Sequence, residues 1–334
     1  MGFSPIPDCT VFRRDVVNCN PRLKTEPDNS LAEFSIEFKA KTSHDPFKTT
    51  ATPSSPTHPS PYPEDVFMSL RTGTASQVLG QMTAYAMLIL GTQYRTHTFT
   101  VLIVKERARL IRWDRGGAVV TDSFPFNSQP YLLNFLFRYN HADPDKRGHD
   151  VTVRDSTDTE RQDAQKAVGE FEDVKRLVTV SMLQQDYVIR APCPQPEIPV
   201  GRWTRTSVAY HCQENRRVFF KDSWRVSHPE ITPEGDIYSM LRGSNVRNVP
   251  GCLAHGDVGN EVVNDYHRTR THEFVIFTNK PDSKTITHYR HYRLVLDTVG
   301  RELTSFKSSK ELVSAIYASL IGKYIVSYRR ITVF

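Results

Sequence analysis

Hydrophobic and polar positions change rhythm several times along the chain, and each rhythm predicts an element. Phe34-Ser-Ile-Glu-Phe-Lys39 alternates as a half-buried strand does. From Thr74 to Tyr94 the apolar set Val78, Met82, Tyr85, Ala86 and Ile89 recurs at helical spacing, which predicts a long helix. Strands follow at Thr98–Val104 and Arg109–Trp113, joined by the short charged link Lys105-Glu-Arg107. Pro130 suits the first turn of a helix with Leu132, Leu133, Leu136 and Phe137 on its apolar face. Residues 158–181 are polar, with Ala167, Phe171, Val174 and Leu177 spaced among them, and read as a surface helix or a loosely ordered arm. Further on, Ser207–His211 and Arg217–Lys221 read as adjacent strands around the turn Gln213-Glu-Asn215. A helix is expected from Pro233 through Leu241, closed by Gly243, then strands at Cys252–His255, Phe274–Phe277 and Tyr289–Asp297. Ser308 and Glu311 form a capping box before the amphipathic run Leu312–Leu320. That order predicts a mostly antiparallel sheet with one helix beside it.

Two proline-rich stretches organise these elements. Thr52–Pro63 reads as an extended loop, and Ala191–Pro199 as a linker. The expected fold class is therefore α+β, with an N-terminal α/β domain over 1–190, the linker 191–199, and a second domain over 200–334. The 43 Lys+Arg and 37 Asp+Glu leave a charge of +6, a mild excess that favours anionic partners without resembling a nucleic-acid-binding tail. Five scattered cysteines with no CxxC spacing disfavour a disulfide framework or a zinc site. The first ten residues carry no secretory pattern, Ile6 stands where a myristoylation signal wants Ser or Thr, and no apolar run is long enough for a bilayer. An intracellular protein that does not engage membranes is expected.

Candidate chemistry centres on Lys221, at the end of the apolar run Val218-Phe-Phe220, and on Glu234 in the first turn of the next helix. A strand lysine and a helix acid in that order form the ion pair that holds nucleotide phosphates in protein kinases. Residues 70–334 resemble the fungal-type protein kinase domain family. The likeness is carried by Gly80–Tyr85, Arg95–Val101, Ala108–Ala118, Lys221-Asp-Ser-Trp-Arg225, Pro233-Glu-Gly-Asp-Ile-Tyr238, Asn245–Pro250, His291–Arg301 and Phe306–Leu312. The resemblance implies a kinase-like N-lobe, hinge and first C-lobe helix over 200–334, and the family's activity, ATP-dependent phosphorylation of proteins on Ser or Thr. It makes Lys221 the phosphate-binding lysine and Glu234 its partner, with Asp236 a lesser candidate. It places the adenine against backbone groups of Asp297 and Val299. ATP is the implied cofactor, with magnesium in the family.

The same comparison exposes gaps. Gly201–Ser207 holds one glycine and no GxGxxG, and no HRD, DFG or APE motif follows Glu311–Leu320. The family pattern stops near Ile321, so the chain reads as a truncated, catalytically incomplete copy lacking the C-lobe. His255-Gly-Asp257 resembles the HGD of small-molecule phosphotransferases but lies on the wrong side of the hinge, and is expected to be a polar turn. His288 and His291 are expected to point to opposite faces of a strand, which is no metal site.

Two other functions compete. One is a non-catalytic, pseudokinase-like regulatory module. The other is a metal-dependent nuclease-like N-terminal domain: Glu37-x-Lys39 on a strand, Asp28 upstream, and Gln81 and Tyr85 on the next helix resemble the acid–ExK core of restriction-endonuclease-like folds. Arg112–Arg115 is expected to be a strand end with salt bridges, and Arg268, Arg270, Arg290 and Arg293 to be solvated. The expected partner is a nucleotide rather than nucleic acid, with the protein partner or substrate unspecified.

Overall fold

Strand alternation and helical spacing resolve, in the computed structural model, into a mixed α+β architecture described over residues 6–47, 68, 73–192, 200–260, 265–277 and 286–328. The loop expected at 52–63 and most of the expected linker lie outside the described residues. The chain forms two compact units: Met1–Val151 with Pro192–Gly201 and Thr269–Thr287, and Thr152–Ala191 with Arg202–Arg268 and His288–Phe334.

In the first unit the order is β1 (Cys9–Val11), α1 (Arg14–Cys19), β2 (Phe34–Lys39), α2 (Gly73–Thr92), β3 (His97–Val104), β4 (Arg107–Asp114), β5 (Gly117–Val120), β6 (Phe124–Pro125) and α3 (Tyr131–His141). The sheet runs β1-β2-β3-β4-β5, with β6 beside β4. β2 and β3 are parallel, which requires a crossover, and α2 falls between them in the chain. Val78, Met82, Tyr85, Ala86 and Ile89 are the buried side of α2, as their spacing predicts. α3 differs from expectation. Leu132, Phe135 and Tyr139 pack against Phe34, Phe99 and Val101, whereas Leu133 and Phe137 are 69% and 63% exposed. Both stripes have helical spacing; the edge-on ring contacts of Phe34 with Phe135 and Tyr139 select the first.

The second unit contains β7 (Val153–Asp155), α4 (Asp158–Ala167), β8 (Leu177–Met182), β9 (Gln185–Arg190), β10 (Arg205–His211), β11 (Arg216–Val226), α5 (Glu234–Gly243), β12 (Cys252–Asp257), β13 (Gly259–Asn260), β14 (Asp265–Tyr266), β15 (Tyr289–Leu296) and α6 (Ser309–Tyr328). Its seven-stranded sheet runs β12-β15-β11-β10-β9-β8-β7, every pair antiparallel. Residues 158–181 are not one arm. A capping box of Thr157 and Glu160 starts α4, and β8 then enters the core with Leu177, Val178 and Val180 buried. β9 pairs with β10 through Val188↔Tyr210 and Tyr187↔His211, so the sheet continues across the linker expected at 191–199; the compact units change over after Val151 as well as at Ala191 and Gly201. Phe274–Phe277, expected as a strand, belongs to a 3₁₀ segment, Thr271–Phe277. α6 begins as predicted, with the Glu311 N–H donating to Ser308 Oγ at 3.2 Å, and continues to Tyr328. Among the described residues, no helix is long and apolar enough to cross a membrane.

Candidate functional site

Lys221 sits in β11 between Thr206 of β10 and Leu294 of β15, a central position in the sheet. Its neighbours Phe220 and Asp222 are buried on the other face, and Lys221 itself is half-buried. Pro233 starts α5 and puts Glu234 and Asp236 in its first turn, where the positive end of the helix favours acids. Both carboxylate oxygens of Glu234 accept from Lys221 Nζ, at 2.6 and 2.8 Å. Asp236 does not share this contact; its Oδ1 lies 3.9 Å from His255 Nε2. The structure therefore brings Lys221 and Glu234 together, holding an ammonium at a half-buried position on the sheet.

Beyond β15 the chain passes Asp297 and Val299. The Asp297 N–H donates to the Gly251 carbonyl at 2.9 Å, and its carboxylate accepts from the Gly251 N–H at 2.9 Å and the Thr298 hydroxyl at 2.7 Å. A Cβ at residue 251 would lie 2.3 Å from Asp297 Oδ2, so the clamp demands glycine there. The Asp297 N–H is thereby committed to the protein and not open to a base. No hydrogen bond engages the Val299 backbone among the described residues. The clamp joins positions 46 residues apart and takes up the Asp297 N–H, leaving the Asp297 carbonyl and the Val299 backbone as the groups expected to meet an adenine.

His255-Gly-Asp257 is part of β12, not a turn. Asp257 takes a bidentate pair from Arg225 at 2.7 Å, with Arg290 at 3.4 Å, and His255 faces Tyr292. Sequence reasoning missed a second network one residue from Lys221. Asp222, 3% exposed, accepts from His291 Nε2 at 2.8 Å and from Arg293 Nε at 3.0 Å. Burial would raise its pKa, but the His291 imidazole and the Arg293 guanidinium hold the carboxyl far below the usual range. Trp224 stacks on His291, centroids 5.0 Å apart. An acid and an indole inside one apolar strand, Val218–Trp224, were the available signal.

In the first unit, Glu37 is 2% exposed and pairs with Lys39 on the same face of β2. The Asp8 N–H donates to Glu37 Oε2 at 3.3 Å. The Tyr85 hydroxyl donates to the Ile6 carbonyl at 3.1 Å, and burial together with the nearby Glu37 charge raises its pKa. Asp28 is not in this group: its carboxylate accepts the Ser30 N–H at 2.8 Å in a local turn. Arg112 pairs with Asp114 at 2.6 Å, and Asp114 also accepts from Thr271 Oγ1 at 2.7 Å, the strand-end role expected of that block.

Nucleotide and magnesium fare differently against these residues. The Lys221–Glu234 pair fits a phosphate-binding role, since a held ammonium is the cation that nucleotide oxygens require. The β9–β10 connection has Gly201 (φ +106°) in place of a glycine-rich loop, and the 334 residues contain neither a DFG nor an HRD motif, so no residue here is assigned to magnesium. A family model described as fungal protein kinase matches residues 64–326. No curated protein and no solved structure matches the chain.

Proposed function

The chain belongs to the fungal protein kinase family, and on that footing we propose that its second unit is a kinase-type nucleotide-binding module. In this reading Lys221 grips the phosphates of ATP, Glu234 holds Lys221 in place, and the backbone of Val299 meets the adenine. The carrying observation is the two-oxygen contact of Glu234 with Lys221 Nζ at 2.6 and 2.8 Å. A half-buried ion pair loses much of its Coulombic gain to desolvation, so this arrangement is better explained by what the ammonium binds. The module serves as a nucleotide-responsive element, with a protein as its partner. ATP at about a hundred times its Kd would stabilise the unit by about 2.7 kcal/mol. We expect a matching rise in melting temperature with ATP that disappears in Lys221→Ala. A wild-type melting curve unmoved by millimolar ATP refutes the reading.

A second reading rests on Glu37, Lys39 and Tyr85, which meet on the β2–α2–β3 crossover as a nuclease-like core would require. It lacks the acid expected from Asp28. Under this reading, DNA cleavage with magnesium or manganese is lost in Glu37→Ala. Equal background cleavage by both proteins rejects it.

A further inference from the structure

The N–H groups in the first turn of a helix have no partner within the helix, and something else must satisfy them. In α5, the Gly235 N–H donates to the Tyr292 hydroxyl of β15 at 2.8 Å. That hydroxyl lies 3.1 Å from His255 Nδ1 of β12. The hydroxyl thus bridges the helix N–H and the Nδ1 side of the imidazole, whose other nitrogen, Nε2, lies toward Asp236. Tyr292 is 3% exposed, and burial raises its pKa, so it keeps the proton this chain needs. The fit also fixes residue 235 as glycine: a Cβ there would stand 1.9 Å from the His255 ring.

Gly235 directly follows Glu234. We propose that Tyr292 and His255 are positioning residues for the nucleotide site: together they cap α5 from the sheet and fix Glu234 where it meets Lys221. This rests on the reading of Lys221 and Glu234 as a nucleotide-binding pair. It also explains His255-Gly-Asp257, whose histidine holds the helix while its aspartate is spent on Arg225. Releasing the cap frees the first turn of α5 to move Glu234 off Lys221 without disturbing β8 and β9.

The test uses the full chain. In Tyr292→Phe, which removes one oxygen and leaves the ring, we expect faster hydrogen exchange at Gly235–Tyr238, unchanged exchange in β8 and β9, and about five- to tenfold weaker ATP binding, the effect of one lost hydrogen bond. His255→Leu should behave alike. His255→Asn, whose Oδ1 can take the place of Nδ1, should restore affinity. In a Glu234→Gln background, Tyr292→Phe should weaken ATP binding no further, because the cap acts through that acid. Unchanged exchange at Gly235–Tyr238 overturns the cap itself. Faster exchange with unaltered affinity overturns the positioning role, as does an equal loss in the Glu234→Gln background. A wild-type chain that binds no ATP overturns the nucleotide reading and the positioning role with it, while the exchange data still show whether the cap exists.

Discussion

Asp222→Asn should destabilise the second unit by about 3–5 kcal/mol, the cost of removing one partner from a buried ion pair. The charge that loses its Asp222 partner is Arg293, which is 0% exposed and also donates to Thr152 Oγ1 at 2.6 Å and to the Ser181 carbonyl at 3.3 Å. His291, stacked between Trp224 and His267, exchanges a charged acceptor for a neutral amide oxygen in the same step. For a unit of this size the melting temperature should fall by about 10 °C, seen by calorimetry and as early hydrogen exchange in β11 and β15. Below that transition, ATP affinity should match the wild type, because successive residues of a strand face opposite ways and Asp222 is on the other face from Lys221. Replacing the charged group together, Asp222→Leu with Arg293→Met, should recover much of the loss, since a buried pair exchanged for apolar groups of similar volume is often neutral. A fall of less than about 1 kcal/mol in the single variant would falsify the structural role given to this network.

Why Lys221 was legible in the sequence and Asp222 was not is a matter of range. Lys221 and Glu234 announce themselves locally, by a charge ending an apolar run and an acid after a helix-starting proline. Asp222 and Arg293 are 71 residues apart, and only the β11–β15 register, which places them directly opposite, makes them partners. The cap on α5 is hidden for the same reason, since it joins three elements through one hydroxyl. Most strands and helices followed from periodicity, including β2, α2, β3 and α5. Failures occurred where periodicity is ambiguous. Leu177–Met182 is short and carries Thr179 and Ser181 between its apolar residues, so although β8 is buried nearly throughout, its polar flanks suggested a surface arm instead. On α3 two apolar stripes competed, and the aromatic cluster around Phe34, formed from distant strands, decided between them.

Acid should unfold the first unit through Glu33. This side chain, 4% exposed, accepts from the Tyr139 hydroxyl at 2.8 Å and from His149 Nε2 at 3.2 Å, with Arg147 at 3.3 Å and Arg95 at 3.6 Å. Burial alone would raise its pKa, but the His149 hydrogen bond and the Arg95 charge outweigh it and hold the carboxyl at about 2, against 4.5 for a free glutamate. Protons therefore bind the unfolded chain first. The stability this group contributes is complete above about pH 4.5 and is lost as pH falls toward 2, by about 3 kcal/mol in all. His149 acts in the same direction at higher pH: burial lowers its pKa from 6.5, so acid charges it first in the unfolded chain. Two descending steps are expected in the stability of β2 and β3, one beginning near pH 6.5 and one below about 4.5, followed by hydrogen exchange across a pH series corrected for intrinsic rates. In Glu33→Gln the lower step should vanish, and the unit should be less stable at neutral pH by about 3–5 kcal/mol because Arg95 and Arg147 keep their charge without the acid between them. A Glu33→Gln protein that keeps the wild-type slope between pH 4.5 and 2 would show that another carboxylate carries the acid sensitivity.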